Sequence, residues 1–252
     1  MNTRIMMRLA YDGSRYCGWQ RQPDQPTVQE QVEEAVLKLT GLETAVIASG
    51  RTDSGVHARG QVCHFNLESC TIPPEKFSPA LNRLLPGDIR VLASAQTDGG
   101  FHARYSALRR EYRYYLARTR ISDPFRSPYC HARSDIPSTV VLDRYAAVLP
   151  GEHDFTTFSA AGDPSESKLR YIFSAAVFPQ NGFTVFRIVG NAFLWRMVRS
   201  LVGTILELGK KDAPAGHMVE LIRARDRSLA GPTAPARGLF LHKVEYDEGY
   251  TC

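Results

Sequence analysis

The sequence lacks the features that mark several common classes of protein. Its 252 residues include five cysteines, an odd number, and no Cys-x-x-Cys pair, which disfavours a disulfide framework and a zinc site. The longest apolar segment, near residues 193–208, is interrupted by Arg196 and Arg199 and does not read as a membrane span. An acid at Asp12 follows only a short apolar run, so no signal peptide is expected. These absences predict a soluble cytoplasmic protein with no membrane partner.

Motifs for common cofactors and for hydrolysis are missing too. The chain has no P-loop glycine pattern, and its seven histidines show no metal-ligand spacing. Ser54 does not lie in the Gly-x-Ser-x-Gly elbow of a hydrolase. We therefore expect neither a cofactor nor a metal ion.

What the chain does contain is apolar sequence for a substantial core and a modest excess of positive charge. Hydrophobic residues make up 43% of it, enough for one large or two small domains. The net charge of +5 modestly favours a polyanionic partner.

Hydrophobic periodicity predicts a similar order of elements in two successive halves. The first half shows strands at 4–11, 45–49, 61–67 and 89–95, with helices at 28–39, after a Thr27–Glu30 capping box, and at 78–85. The second shows strands at 111–117, 168–178, 183–190 and 239–246, with helices at 139–149, 192–208 and 215–225. We predict an α+β fold with halves at 1–105 and 106–252. Each half is compatible with a split βαββαβ, ferredoxin-like arrangement, with antiparallel sheets flanked by helices and an active-site cleft between the halves.

The candidate catalytic segment, residues 50–60, places one carboxylate among cations. Asp53 lies close in sequence to Arg51, His57 and Arg59, in a stretch with three glycines. Nearby positive charge favours the ionised carboxylate, which could act as a nucleophile or a base. The alternative is a surface turn with a structural Arg–Asp pair, the commoner case for an arbitrary Arg-x-Asp.

A second candidate segment, residues 101–133, is rich in arginine and tyrosine. It contains eight arginines, two acids, no lysine and five tyrosines. Guanidinium groups bind phosphates bidentately and tyrosine rings stack on unpaired bases, so the segment favours RNA binding. A solvated basic face with core tyrosines is the alternative.

Individual side chains in the second half also have two interpretations. Tyr112 and Tyr114 lie on one side of their strand and Arg113 on the other. A tyrosine there could stack on a base, accept a proton late in a reaction, or fill the core. Arg196 and Arg199, at i and i+3 of the long helix, could reach Asp53 or a phosphate backbone, or could be ordinary solvated arginines.

Residues 50–65 read GRTDSGVHARGQVCHF. Four further blocks are residues 11–13 with 18–20 and 27–29, 101–104 with 110–114, 190–194 with 197–199 and 202–203, and 238–241. These five ordered blocks resemble the tRNA pseudouridine synthase A family of RNA-modifying isomerases, whose signature is matched by residues 50–65. The departures from the family pattern are small. The family more often has alanine at the position of Ser54, and Arg59 and Trp195 lie at positions that vary.

The resemblance implies a fold of two ferredoxin-like halves and a homodimer that needs no cofactor or metal. It implies conversion of uridines 38, 39 and 40 of the tRNA anticodon stem-loop to pseudouridine, with Asp53 as nucleophile. Tyr112 matches the tyrosine that stacks on the target base, Arg51 the arginine that helps extrude it, and Arg199 the arginine that pairs with the nucleophile. The predicted substrate-binding residues, besides Tyr112, are Leu239, Phe101, His102, Arg104, Tyr105, Arg110, Lys168 and His57.

Two alternatives remain at this point. The Asp53 signature concerns chemistry, whereas target choice lies in loops, so a related RNA pseudouridine synthase with another site preference is possible. A catalytically silent RNA-binding module is the other, disfavoured because RNA binding alone needs no isolated aspartate among arginines.

Overall fold

The computed structural model describes residues 3–68, 71–121 and 123–250. Contacts divide the chain into two compact units, Met1–Leu108 with Phe240–Cys252, and Arg109–Leu239. The predicted halves 1–105 and 106–252 stay a prediction about domains, because compactness alone does not show that a unit folds independently.

The first unit is built from a mainly antiparallel sheet and two helices. Its elements are β1 Thr3–Tyr11, α1 Val28–Thr40, β2 Ile47–Ala48, β3 His57–Leu67, α2 Phe77–Leu81, β4 Ile89–Thr97 and β10 Leu239–Glu245, of which Leu239 itself is grouped with the second unit. β1 pairs antiparallel with both β3 and β4, and β2 pairs antiparallel with β3. β10 runs parallel to the start of β3, with Phe240 opposite His57.

The core of this unit follows the predicted periodicities. Ile5, Met7, Leu9 and Tyr11, predicted to share one face of the first strand, are each at most 4% exposed. Helix α1 buries Val28, Val32, Ala35 and Val36 and ends at Gly41, which has a left-handed φ of 72°.

The predicted capping box at the start of α1 is wrong. Thr27 occupies the N-cap position, but its side chain makes no capping hydrogen bond. The first two amides of the helix donate instead to main-chain oxygens, Val28 N–H to Gly18 (3.2 Å) and Gln29 N–H to Trp19 (3.0 Å). The N–H group of Gln29, one of those that an N-cap side chain can serve, is therefore already bonded to the segment ten residues earlier.

The second unit has a longer antiparallel sheet and three helices. Its elements are β5 Arg109–Arg118, β6 His131–Arg133, α3 Thr139–Ala146, β7 Gly151–Asp154, β8 Leu169–Gln180, β9 Phe183–Gly190, α4 Met197–Lys210 and α5 Gly216–Ala224. The antiparallel strand order is β5-β9-β8-β7, and the short β6, which was not predicted, runs parallel to β5. The predicted hairpin turn at Asn181-Gly182 is confirmed, with φ values of 50° and 78°.

Helix α4 begins five residues later than the predicted start at residue 192. The main chain of Trp195 is already engaged, because its N–H donates to the carboxylate of Asp163 and its oxygen accepts from Ala160 N–H (3.0 Å). Arg196 then has a φ of 60°, outside the right-handed helical region, so the helix can begin only after it. Arg196 is therefore not a helical neighbour of Arg199, contrary to prediction. The helix itself buries eleven of its fourteen residues.

The architecture is thus α+β, with mixed sheets and five helices in the described residues. The prediction of this class is confirmed. No helix in the ranges described above is long and apolar enough to cross a membrane.

Candidate active site

Asp53 lies in a tight turn between β2 and β3. The turn is closed by a hydrogen bond from Val56 N–H to Asp53 O (3.1 Å), with Gly55 at a φ of 75°. Asp53 is partly exposed, between buried Thr52 and exposed Ser54. Arg51 is exposed, and its side chain makes no hydrogen bond or ion pair with the described part of the chain. The loop therefore presents a carboxylate and a guanidinium group close together in sequence.

The segment that follows β1 holds this loop by its main chain. Trp19 N–H donates to Thr52 O (3.1 Å), and Gly55 N–H donates to Tyr16 O (3.2 Å). The Tyr11 hydroxyl lies 2.8 Å from the Thr52 hydroxyl in a buried hydrogen bond. Residues on both sides of Asp53 are thereby fixed, which restricts where its carboxylate can point.

Two glycines allow this close approach. A Cβ on Gly18 would lie 2.5 Å from Thr52 O and 3.1 Å from Asp53 C, and Gly18 has a φ of 90°. A Cβ on Gly13 would lie 2.0 Å from Val56 O. Residues 11–13 and 18–20 therefore support the Asp53 loop, a role that sequence reasoning missed although the family blocks included these residues.

His57, a predicted substrate-binding residue, is 1% exposed. Its ring stacks on Phe240, with centroids 4.6 Å apart. Gly13 N–H donates to His57 Nδ1 (3.1 Å), and an Asp12 carboxylate oxygen lies 3.1 Å from the same nitrogen. One nitrogen cannot accept and donate at once, so Nδ1 accepts from Gly13 when it carries no proton and would donate to Asp12 when it carries one. In this structure the buried His57 ring packs beneath the Asp53 loop, between Phe240 and Gly13.

The residues predicted from the central block separate into buried and exposed groups. Phe101 is 0% exposed and its ring contacts Tyr246 and Tyr250, with centroids 5.1 and 4.9 Å away. Tyr105 is 76% exposed; its ring packs on His102 at 4.4 Å, and the Arg104 guanidinium lies 5.7 Å from its centroid. Only the latter group offers an accessible ring and cation.

Two histidines behind this segment are held neutral. Burial, then the charges of Arg4 and His102, lowers the pKa of His64 to about 4. Burial and Arg4 also lower the pKa of His102. Both rings accept main-chain N–H groups at Nδ1, His64 from Ala103 (3.2 Å) and His102 from Arg104 (3.2 Å), which favours the neutral form. The exposed Tyr105 ring thus packs on an uncharged His102 ring.

In the second unit, Tyr112 lies on β5 opposite Ile188 of β9 and is 8% exposed. Its ring meets Phe193 edge to face, with centroids 5.1 Å apart. Tyr114, on the same side of the strand as predicted, is 0% exposed, and its hydroxyl donates to Pro235 O (2.8 Å). Tyr114 is therefore a core residue, whereas Tyr112 keeps a small accessible surface.

The neighbours of Tyr112 on β5 are charged and engaged. Arg110 is 8% exposed and donates to Asn191 O (2.5 Å). Glu111 accepts from Arg113 Nε (2.7 Å) and from Arg187 (3.0 Å). Burial opposes ionisation of Glu111, but these two arginines outweigh it and lower its pKa. This ion cluster, which the sequence did not predict, joins β5 to β9.

Arg199 and Leu239 are the remaining predicted residues of this unit. Arg199 is partly exposed and its Nε–H donates to Ala234 O (2.8 Å). Leu239 is 5% exposed at the start of β10. The predicted pairing of Arg199 with Asp53 stays a prediction.

Lys168 is committed to its own loop. Its Nζ donates to Asp163 O (2.9 Å), Asp163 Oδ1 (2.9 Å) and Ser165 O (2.8 Å). An ammonium group has three N–H donors, so these bonds use its capacity fully. The side chain thus holds residues 163–168 in shape, and its predicted contact with substrate stays a prediction.

A partly exposed aspartate on a rigid loop, with arginine- and tyrosine-bearing surfaces, is typical of an enzyme that acts on nucleic acid. The chain belongs to the tRNA pseudouridine synthase family, because the model of that family matches residues 8–106 and 146–247. The family is one of isomerases, and the predictions of the family and of an enzyme are confirmed.

Curated relatives match nearly the whole chain. tRNA pseudouridine synthase A of Moorella thermoacetica is 44% identical over 96% of this chain and 99% of its own length. The proteins of the same name from Treponema denticola and an Exiguobacterium species are 42% and 40% identical, over 97% of this chain and 93% and 98% of their own lengths. Among solved structures, the archaeal box H/ACA sRNP Nop10-Cbf5 complex aligns at 13% identity with a TM-score of 0.33, covering 81% of this chain and 44% of that one. That score supports no conclusion about fold or function.

Proposed function

We propose that this chain isomerises uridine to pseudouridine at positions 38, 39 and 40 of the tRNA anticodon stem-loop, with Asp53 as nucleophile on a flipped-out base. The observation that carries the proposal is the Asp53 loop, whose main chain is bonded to Tyr16 and Trp19 on either side of a partly exposed carboxylate. Nucleophilic catalysis depends on holding the attacking group in position before the substrate arrives.

The reaction first requires access to the base. A uridine inside a stem must be extruded at a cost of about a few kcal/mol. Arg51 is exposed next to the nucleophile and is suited to fill the vacated space. Tyr112, packed on Phe193, would stack on the extruded uracil and offset part of that cost.

The chemistry is an isomerisation. The N1–C1′ bond breaks, the uracil rotates, the C5–C1′ bond forms, and the proton on C5 is removed while N1 gains one. Asp53 would attack the base, attack the ribose or abstract a ribose proton, and Tyr112 is the proposed acceptor of the C5 proton. Arg199 would keep Asp53 ionised.

The other predicted residues divide by exposure. Arg104, Tyr105 and His102 form an accessible surface suited to RNA, and Arg110 is proposed to act near phosphate. His57, Phe101 and Lys168 are buried or fully bonded, so we propose that they position neighbours of the substrate. Leu239 would provide an apolar wall.

The finer description of the fold and assembly is also a proposal. In the first unit, the antiparallel order β4-β1-β3-β2 supports a ferredoxin-like half. The homodimer and the cytoplasmic location are supported by the family resemblance alone.

Asp53→Asn tests the nucleophile. This change removes the charge with little change in shape, so pseudouridine formation should be lost while tRNA binding persists. Asp24→Asn is the matched control, since Asp24 is an exposed aspartate of the same unit. Mapping pseudouridines in tRNA incubated with each protein is the measurement, with binding measured in parallel. Full activity in Asp53→Asn would refute the assignment.

The same map separates the alternatives. Pseudouridine at 38, 39 and 40 supports the proposal. Modification elsewhere would indicate a synthase of different site preference, and tRNA binding without any modification by the unaltered protein would indicate a silent RNA-binding module.

A further inference from the structure

An exposed tryptophan and an exposed arginine lie side by side just before α4. The chain has two tryptophans, of which Trp19 is 1% exposed and Trp195 44% exposed. The guanidinium carbon of Arg196 lies 4.9 Å from the centre of the Trp195 ring. Arg196 is exposed and makes no hydrogen bond or ion pair through its side chain with the described residues. An indole and a cation are thus presented together to solvent.

The main chain at this pair adopts an unfavourable conformation. Arg196 has a φ of 60°, in the left-handed region that residues with a side chain rarely adopt. Such a conformation persists only where the surroundings impose it, and it is found preferentially at functional positions.

The surroundings that impose it centre on a buried acid. The side chain of Asp163 is 2% exposed. It accepts Trp195 N–H, Ser165 N–H (2.8 Å) and Lys168 Nζ (2.9 Å). Ala160 N–H donates to Trp195 O (3.0 Å). A loop of the second unit therefore clamps the main chain of Trp195 and leaves its ring outside.

We propose that Trp195 and Arg196 form a further RNA contact, in which the indole stacks on an unpaired base and the guanidinium binds a neighbouring phosphate. The inference rests on the proposed function, which supplies the RNA. Every base has a π face, and arginine adds a charge that a phosphate complements. Asp163 and Lys168 are positioning residues for this contact.

Trp195 reports on the contact directly. Because Trp19 is buried, acrylamide should quench the emission of Trp195 preferentially. Addition of an unmodified tRNA transcript should lower the emission of Trp195 and protect it from acrylamide. Trp195→Phe should abolish both changes. Unchanged emission and quenching at saturating tRNA would overturn the proposal.

Affinities then separate stacking from charge. Trp195→Ala should weaken tRNA binding by about five-fold or more at every salt concentration, and Trp195→Phe should restore much of the loss. Arg196→Gly should lower the slope of log Kd against log salt by about one. Its melting temperature should not fall, because glycine adopts the left-handed conformation freely.

Arg225→Gly is the matched control for Arg196→Gly. Arg225 is also exposed, lies in the same unit and has a φ of 52°, but it pairs with Asp154 at 3.2 Å. Its replacement should leave the salt slope unchanged. An equal change in both variants would overturn the specific role of Arg196.

Failure of this inference is distinguishable from failure of the proposed function. If the unaltered protein forms pseudouridine while Trp195→Ala binds tRNA normally, only the further contact is refuted. If Trp195→Ala alters sedimentation but not tRNA affinity, the ring contacts protein rather than RNA and the inference is again refuted. If the unaltered protein forms no pseudouridine in any tRNA, the proposed function itself fails.

Discussion

Gly18→Ala should displace the Asp53 loop, proposed to be catalytic, without changing the carboxylate itself. The added Cβ would lie 2.5 Å from Thr52 O, whereas ordinary contacts begin at 3.4 Å. The loop must therefore move by about 0.9 Å, the difference between these distances. A displacement of about 1 Å at a catalytic group can lower the rate about 100-fold, so we expect kcat to fall between about 10- and 100-fold.

The effect on stability has two parts. A φ of 90° is unfavourable for alanine by about 1–2 kcal/mol, and the clash adds about 1–3 kcal/mol, as overpacking does elsewhere. Gly41→Ala is the control, since Gly41 has a φ of 72° and a Cβ there would have no neighbour within 4 Å. Gly41→Ala should lose only the stability that a positive φ costs alanine, and it should keep its activity.

Single-turnover formation of pseudouridine, measured well below each melting temperature, tests the expectation, and thermal unfolding measures the stability. Two results would refute the reasoning. One is a Gly18→Ala protein that reacts at the unaltered rate and is as stable as Gly41→Ala. The other is an equal loss of activity in both variants, which would mean that the φ requirement and not the contact with Thr52 controls the rate.

Two further predictions concern protonation. The pKa of folded His64 is about 4, below the usual 6.5, so the unfolded state binds a proton first and the free energy of unfolding should decrease as pH falls from 6.5 to 4. His64→Asn, whose amide oxygen can still accept Ala103 N–H, should show a shallower fall in melting temperature; a slope equal to that of the unaltered protein would contradict this. Tyr112→Phe keeps the ring that packs on Phe193 but loses the hydroxyl, so a role as proton acceptor predicts a fall in kcat of about 100-fold or more with little change in KM. Unaltered turnover would leave stacking as its only role.

Local patterns in the sequence were enough to predict most elements. Alternation predicted β1 and its buried face, and Asn181-Gly182 predicted the turn between β8 and β9, because strand pleat and turn geometry depend on adjacent residues. The start of α4 and the cap of α1 were wrong for one reason. In both places, main-chain groups bond outside the local pattern: Trp195 to Asp163 and Ala160, and the first amides of α1 to Gly18 and Trp19, ten residues earlier.

The candidate site divides in the same way. Residue types and the family blocks identified Asp53, Arg51 and Tyr112 as candidates, since these follow from chemistry and order along the chain. Residue types and family blocks did not show which of the predicted residues are exposed. Phe101 and Tyr105 stand four residues apart, yet one is fully buried and the other 76% exposed.

The sequence by itself determined the fold class, the family and the identity of the candidate nucleophile, because each is written in periodicity or in contiguous motifs. Only the tertiary structure decided how Asp53 is held. Gly18, Tyr16 and Trp19 reach its loop from the segment after β1, and such contacts arise only when the chain folds back on itself. The same holds for Lys168, which the family resemblance predicted as a substrate contact and whose three donors the structure shows bonded within its own loop.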